Sequence, residues 1–364
     1  TIREFATERL EASGEADEMR RRHAEHFLAI AEEAEPELRG QNPEAWLERL
    51  EREQDNLRTA LDWLEGSANG QLALRLAGAV DEFWCARNHV PEGRRYLESA
   101  LRLDVRPTPA RAKALIGAAH MARDSGNPAD GTLWAEAGLA LHGRLGDAWS
   151  TANAQLWLGL TVADERDFPR AQRLFGESAE AFRTLGDDFH ALLANRMLAW
   201  TYDALGDRPR ARTLHEENLR RARELQAQEL ESSVLGALAS YAVDEGRLQD
   251  SAVLAADSIR VARDIGSRNL VAHELCRAAA ALTLAGDGEL AAQLIASSLA
   301  FHDDAGIKPL PHLVLENETT LAGIRSQLSE AAFNEAWDGG GRLTIEEATT
   351  LALSALGEIV GLSA

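Results

Sequence analysis

The sequence predicts an all-α protein, built as a solenoid of helical hairpins that winds into a right-handed superhelix. Three observations predict this fold class. Small residues recur every 40 positions between residues 109 and 306, and glycines recur where each helix should end. Both ends of the chain follow the period of an amphipathic helix but do not share the 40-residue register.

The 40-residue recurrence predicts five hairpins over residues 109–306. Small residues align at one position of each first helix, and two further small positions follow 12 and 19 residues later. Small side chains at helix crossings let two backbones approach closely. These spacings match the tetratricopeptide (TPR) repeat, lengthened from about 34 residues. Chance periodicity in an alanine-rich chain is the alternative. The aligned sets are Ala119, Gly159, Ala199, Ala239, Ala279; Gly131, Ala171, Ala211, Ser251, Ala291; and Gly138, Ser178, Asn218, Ser258, Ser298.

Helix ends recur in the same register. Pro169 and Pro209 open the second helices of their hairpins, where proline costs no hydrogen bond. Each hairpin is therefore expected to be two helices with a turn after each. The predicted helix stops are Gly126, Gly206, Gly246 and Gly286, with Arg166 as the exception in that phase, and Gly146, Gly186, Gly266 and Gly306, with Gln226 as the exception.

Four segments follow from this pattern. Residues 1–66 form an N-terminal helical region, and residues 67–108 form an irregular first repeat that keeps the phase through Asn88, Gly93 and Tyr96. Residues 109–306 are the five regular repeats, and residues 307–364 are a helical cap. Capping is expected because a terminal repeat would otherwise expose its apolar face. Within the cap, helices are predicted over 312–328, 330–337 and 344–360, with Gly339–Gly341 as a flexible joint between the last two.

Composition and charge exclude several classes of protein. The formal net charge is −21, from 38 Lys+Arg and 59 Asp+Glu. We expect no duplex DNA binding by this chain alone, because nucleic-acid affinity comes largely from cationic side chains. The apolar runs are shorter than the roughly 20 residues that a membrane span needs, so no membrane partner is expected. Cys85 and Cys276 form no CxxC pair, which argues against disulfides and structural zinc and favours a reducing cytoplasm.

No catalytic motif is present in the sequence. It contains neither GxSxG nor GxxxxGK[ST], so we predict no enzymatic activity, no cofactor and no metal. His23 and His26 stand three residues apart, whereas the HExxH metal motif needs a spacing of four, and a solvated helix face is the better interpretation. An unrecognised hydrolase would rest only on scattered acids and histidines.

Motifs at both ends resemble a known family. The opening Thr1-Ile-Arg-Glu-Phe-Ala-Thr-Glu-Arg-Leu, Arg22-His23-Ala24, the run from Trp46 to Leu61, Glu92-Gly93-Arg94-Arg95-Tyr96-Leu97 and the closing Ala331–Ala348 are similar to one region of large actinobacterial signalling ATPases. In these STAND-type proteins, of AfsR-like or LuxR/maltose-activator-like architecture, the region follows the nucleotide-binding and winged-helix modules. A chain that begins at Thr1, where the winged helix would end, is expected to be an excised domain.

The resemblance implies a regulatory role. In that family the ATPase is a switch, the TPR superhelix is the sensor arm, and the output is a DNA-binding domain or a nucleotide cyclase. The chain is therefore expected to bind a small-molecule or peptide effector, a partner protein, or the parent's own ATPase domain. Two alternatives remain: a constitutive protein-interaction scaffold without a small ligand, and the equivalent arm of a nucleotide cyclase.

The candidate ligand residues lie on the first helices, which line the concave face of a TPR superhelix. Trp200, flanked by Arg196 and Asp203, is the centre of the predicted site, and the mixed character of the face suits a small organic ligand, a sugar or a short peptide. Alternatively, Trp200 packs between neighbouring first helices. The full set is His120, Arg123, Asn153, Arg196, Trp200, Asp203, Ser240, Asp244 and His273.

Overall fold

The computed structural model describes residue 9, residues 12–38, residue 40, residues 43–305 and residues 311–361. Helices are the regular elements throughout these ranges, which contain no strand. The described chain divides into two compact units, Thr1–Leu185 and Gly186–Ala364. Most of the opening motif and the predicted helix stop at Gly306 lie outside the described residues.

The first unit holds a leucine-rich core at its N-terminal end. Leu50, Leu61 and Leu64 are fully buried there, and Phe27 and Ile30 pack into the same cluster. Two regular hairpins follow this region. The helices are α1 (Ala16–Leu38), α2 (Glu44–Arg52), α3 (Gln54–Gly66), α4 (Gly70–Ala79), α5 (Asp81–Ala86), α6 (Val90–Leu103), α7 (Pro109–Asp124), α8 (Pro128–Leu145), α9 (Ala148–Asp164) and α10 (Phe168–Thr184).

The second unit continues the hairpin pattern with three regular pairs and ends in three further helices. Its described core is rich in alanine, which lets the helices pack closely. Its helices are α11 (Asp188–Ala204), α12 (Arg208–Glu224), α13 (Gln228–Asp244), α14 (Leu248–Asp264), α15 (Arg268–Ala285), α16 (Gly288–Asp304), α17 (Pro311–Gln327), α18 (Glu330–Gly340) and α19 (Ile345–Val360). The predicted all-α fold of helical hairpins is confirmed.

Two helix ends carry Arg166 and Gln226 in place of the recurring glycine, and both residues adopt the backbone conformation of a glycine turn. Arg166 and Gln226 adopt φ values of 65° and 54°, the same left-handed conformation as Gly126 and Gly146 at the equivalent turns. A non-glycine residue pays a steric cost in this conformation. The hairpin register is therefore maintained where the preferred residue is absent.

The third small position of the repeat also has a bonding role. Ser178 donates its hydroxyl to the carbonyl of Ala152 at 2.8 Å, and Ser298 donates to the carbonyl of Ala272 at 2.7 Å. Both bonds join the second helix of a hairpin to the first, 26 residues earlier. The hydroxyl thus adds a buried hydrogen bond at the place where the small side chain admits close packing.

The glycine triplet near the C-terminus does not act as a joint, which corrects the sequence prediction. α18 continues through Gly340, and a Cβ atom at Gly340 would overlap the backbone of Gln293 in α16. The glycine is needed because α18 packs directly against α16. α19 then begins at a capping box, in which Thr344 and Glu347 satisfy each other's backbone N–H groups.

No helix in the described ranges has both the length and the apolar character to cross a membrane.

Candidate functional site

The second unit contains a pocket formed mainly by the first helices of its hairpins. Its volume is about 110 Å³. Pockets that enclose a drug-sized molecule are larger, at roughly 300–1,000 Å³. This pocket therefore has room for one side chain or a group of similar size. Its polar and aromatic lining residues are Arg196, Trp200 and Asp203 of α11, Arg208 and His215 of α12, Ser233, Ser240, Tyr241 and Asp244 of α13, Arg277 of α15 and Glu316 of α17.

A buried ion pair stands beside the pocket. The guanidinium of Arg277 donates to Glu274 Oε1 at 2.9 Å, and the two side chains are 8% and 1% exposed. Nε of Arg277 also donates to Glu316 at 3.4 Å. Burial raises the pKa of Glu274 despite this partner, because loss of hydration outweighs the attraction. Gly236 makes room for the pair, since a Cβ there would overlap the Glu274 carboxylate.

A second group of charges closes one side of the pocket. Arg208 lies 2.8 Å from Asp244 and 3.2 Å from Asp203, so it bridges the acids at the C-terminal ends of α11 and α13. Burial raises the pKa of Asp203, and the nearby Arg208 partly offsets this rise. Both predicted acids therefore line the pocket, but an arginine already neutralises them.

Arg196 is the basic group whose charge is not matched by such contacts. Its Nε atom is buried and has no hydrogen-bond partner among the described residues. Burial lowers the pKa of Arg196 to about 10, and the neighbouring charge of Arg277 contributes to this shift. The guanidinium still carries its proton at neutral pH. Glu274 and Glu229 attract this partly buried guanidinium from a distance, so an anion in the pocket would add the direct contact that it lacks among the described residues.

Aromatic rings form the apolar wall. Trp200 is half-buried and lines the pocket, and Tyr241 lies 5.9 Å from His215 between ring centroids. Burial lowers the pKa of His215 to about 3, and the charges of Arg196 and Arg277 lower it further. His215 is thus neutral at physiological pH. The hydroxyl of Ser240 donates to the carbonyl of Gly236 at 3.4 Å.

The other predicted residues lie elsewhere. His273 does not line the pocket: it is 8% exposed and stacks on His302 with ring centroids 4.8 Å apart. In the first unit, His120 is 6% exposed and packs on Trp157, so it does not face an open groove. Arg123 forms a 2.7 Å ion pair with Asp164, and Asn153 is half-buried on α9. The structure thus gathers five of the nine predicted residues, namely Arg196, Trp200, Asp203, Ser240 and Asp244, in one pocket.

Sequence reasoning missed the charged residues around these five. Glu274 and Arg277 lie three residues apart in an otherwise apolar, alanine-rich helix, which is a signal for a buried pair. Arg208 stands beside Pro209 at the start of a second helix, outside the positions considered.

A separate cluster in the first unit carries metal-binding atom types. One ligand atom each from Cys85, His120 and Asp124 lies within 4.8 Å of the others, and Asp81 and Glu82 form a similar group with His120. The sequence predicted no metal site, because Cys85 has no cysteine neighbour in sequence. These ligand types meet only when α5 packs on α7.

Comparison with known proteins places the chain near transcriptional regulators. No protein-family model matches it. Proteins of Mycobacterium bovis and Mycobacterium tuberculosis, provisionally described as HTH-type transcriptional regulators, are 29% identical over 197 residues. The match covers 51% of this chain and 22% of each relative, so the aligned region spans about a fifth of the relatives' length.

Solved structures share the fold. A Rap protein complexed with competence and sporulation factor has a TM-score of 0.60 at 12% identity, covering 92% of this chain and 99% of that chain. NprR in complex with its cognate peptide NprX has a TM-score of 0.55 at 13% identity, covering 91% and 97%. The apo quorum sensor NprR from B. thuringiensis has a TM-score of 0.54 at 12% identity, covering 92% and 95%. At these identities the likeness establishes the TPR-like fold.

Proposed function

We propose that this chain is the TPR regulatory region of a multidomain bacterial transcriptional regulator, and that its second-unit pocket takes an acidic anchor residue of a peptide or partner protein. The mycobacterial relatives and the family resemblance support the first part. The resemblance also favours an ATPase switch in the parent and a cytoplasmic location. The unmatched Arg196 is the single observation that carries the second part.

The size of the pocket favours a side chain over a whole metabolite. About 110 Å³ is too small for a sugar or a drug-sized effector, but it suits a carboxylate side chain or a C-terminal carboxylate. The carboxylate would pair with Arg196, and the rest of the anchor would lie against Trp200. The Rap and NprR structures contain a signalling factor and a cognate peptide, which supports an occupant of this class.

Occupation of the pocket would act on several helices together. The lining residues come from α11, α12, α13, α15 and α17, so an anchor would contact successive hairpins at once. A ligand shifts a conformational equilibrium only through a difference in affinity between the two states. We propose that an anchor bound at Arg196 stabilises one arrangement of the hairpins, and that this arrangement changes the activity of the parent ATPase.

The pocket does not favour catalysis. General acid–base chemistry needs a group that titrates near working pH. His215 is held neutral, and Ser240 donates its hydroxyl to a backbone carbonyl. We therefore propose a binding role for this chain, with no enzymatic activity.

A displayed library of random peptides tests the anchor. We expect the chain to enrich peptides with an Asp, a Glu or a free C-terminus at one fixed position. Replacing that carboxylate with an amide should weaken binding at least about tenfold, because the guanidinium of Arg196 then loses its charged partner. Arg196→Met should do the same. Arg220→Met removes an exposed arginine of α12 and is the matched control. Enrichment without acids, or equal binding by Arg196→Met, would disprove the anchor.

Trp200 separates ligand contact from packing. Trp200→Ala should weaken binding of an enriched peptide by about 1–3 kcal/mol while changing the melting temperature little, because a half-buried stacking surface is lost at the pocket. The packing alternative predicts a large fall in melting temperature with unchanged affinity. Peptide titration and thermal melting of one variant decide between them.

A further inference from the structure

The first unit brings together side chains of metal-ligand type from two helices. Asp81, Glu82 and Cys85 lie on α5, and His120 and Asp124 lie one turn apart on α7. We propose that Cys85, His120 and Asp124 bind a divalent metal ion of the zinc class, which ties α5 to α7.

The interatomic distances suit a tetrahedral ion. With bonds of about 2.0–2.3 Å, two ligand atoms of a tetrahedral zinc site stand roughly 3.3–3.8 Å apart. Nε2 of His120 and Oδ2 of Asp124 are separated by 3.6 Å, within this range. The three ligand atoms, including Sγ of Cys85, all lie within 4.8 Å of one another.

His120 is buried and held in a fixed orientation beside these side chains. Its side chain is 8% exposed, and its buried Nδ1 has no hydrogen-bond partner in the described part of the chain. Its ring packs on Trp157 with centroids 3.9 Å apart, which fixes the orientation of the imidazole. A buried imidazole nitrogen without a partner is costly. An ion bound at Nε2, the nitrogen that faces Asp124, leaves the proton on Nδ1, and the carboxylates of Asp81 and Glu82 lie near the ring to accept it.

The charged residues next to the cluster also have partners outside it. Arg123 lies 3.5 Å from Asp124 but only 2.7 Å from Asp164, so its stronger ion pair is with Asp164. Gly117 lets Asp81 approach α7, because a Cβ there would lie 3.1 Å from Cβ of Asp81. Three protein ligands leave the fourth position of a tetrahedral ion to water. Asp124 is 30% exposed, which gives an ion access from solvent.

The ligand set selects the class of metal. A thiolate and an imidazole favour zinc and related transition metals, whereas magnesium and calcium prefer oxygen ligands alone. Four-coordinate sites of mixed sulfur, nitrogen and oxygen character are typical of Zn²⁺. Because α5 and α7 are separate in sequence, the bound ion would stabilise the first unit by linking them.

Cobalt titration of the reduced, chelator-treated chain tests the site. One equivalent of Co²⁺ should produce a thiolate-to-cobalt charge-transfer band in the near ultraviolet, which Zn²⁺ abolishes and excess Mg²⁺ does not. Cys85→Ser should lose the band. Cys276→Ser is the matched control and should keep it, because Cys276 is buried in the second unit beside Ser298.

Asp124→Asn is a second ligand variant that we expect to fold, since Asp124 is partly exposed at the end of α7. It should weaken Co²⁺ binding by more than the roughly 10–100-fold that loss of an outer-sphere partner costs. Circular dichroism establishes that each variant is helical. Absence of the band in the native chain, its persistence in Cys85→Ser, its loss in Cys276→Ser or unchanged affinity in Asp124→Asn would each overturn the proposal.

Discussion

The two units gather different polar groups within the same kind of helical hairpin. In the first unit, α5 and α7 gather carboxylates, a thiol and an imidazole around Cys85 and His120. In the second unit, α11 and α15 bring the guanidinium groups of Arg196 and Arg277 to one pocket, and Glu274 pairs with Arg277. The hairpin scaffold is the same in both. The small residues fix the helix crossings, so the neighbouring positions are free to differ, and our two proposals assign a cation to the first unit and an anion to the second.

Removal of an acid should distinguish the units most strongly. Glu274→Ala should lower the free energy of unfolding by about 3–5 kcal/mol, because it leaves Arg277 buried with only two longer contacts, to Glu316 and to the carbonyl of Ser233, both at 3.4 Å. Asp164→Ala in the first unit should cost less, roughly 1–3 kcal/mol, because Arg123 retains Asp124 at 3.5 Å. Urea unfolding of both variants measures the difference.

A double variant tests whether the unpaired charge of Arg277 causes the loss of stability in Glu274→Ala. Glu274→Leu combined with Arg277→Met removes both charges and keeps similar volumes, so it should be less destabilised than either single charge removal. If the double variant loses as much stability as the two single variants together, lost packing causes the destabilisation, and the explanation from an unpaired charge is wrong.

Two glycine-to-alanine substitutions test whether the buried ion pair of the second unit needs the space beside Gly236. Gly236→Ala should destabilise the second unit by about 1–3 kcal/mol, because the new methyl group would collide with Glu274 and lie 2.7 Å from Nη1 of Arg277. Gly176→Ala in α10 is the matched control: nothing lies within 4 Å of the added Cβ. It should stabilise that helix by roughly 0.5–1 kcal/mol. Thermal melting measures both effects. Equal falls in melting temperature in the two variants would contradict the proposed role of Gly236.

The sequence predicted the fold well because the repeat is a packing requirement. Ala119, Ala199 and Ala279 are all fully buried, so a periodic small residue is a direct record of a helix crossing. Arg166 and Gln226 follow the turn geometry although their identities break the pattern. The glycines at 339–341 misled the prediction, because a glycine needed for close helix contact resembles one needed for flexibility.

The candidate sites were harder to predict, since contacts between helices decide them. Repeat position indicated that Arg196, Trp200 and Asp203 share a face, and the structure places them in one pocket. The partners Arg208 and Glu316 come from other helices, at spacings that no motif records. His273 occupied a predicted position, yet its side chain turns against His302. The Cys85 cluster required knowledge that α5 lies on α7.

The smallest expected effect concerns the buried histidines of the second unit. Burial lowers the pKa of His215 and of His273 to about 3. In the unfolded chain their pKa returns to about 6.5, so below this pH the unfolded state binds protons that the folded state does not. Their contribution to stability is therefore fully present above pH 6.5 and is lost progressively as the pH falls toward 3. Between pH 7 and pH 5.5, each histidine should reduce the free energy of unfolding by about 1 kcal/mol.

His215→Gln isolates one of these contributions. The variant should lose about 1 kcal/mol less than the native chain between pH 7 and pH 5.5, because the unfolded state no longer gains that proton. His273→Gln should reduce the loss by a similar amount, and the two effects should add if the sites are independent. Urea unfolding at both pH values measures the losses, and the range from pH 7 to pH 8.5 serves as the internal control. A pH slope that neither substitution changes would mean that these histidines accept protons in the folded state, and the arginines beside His215 would then not set the charge of the pocket.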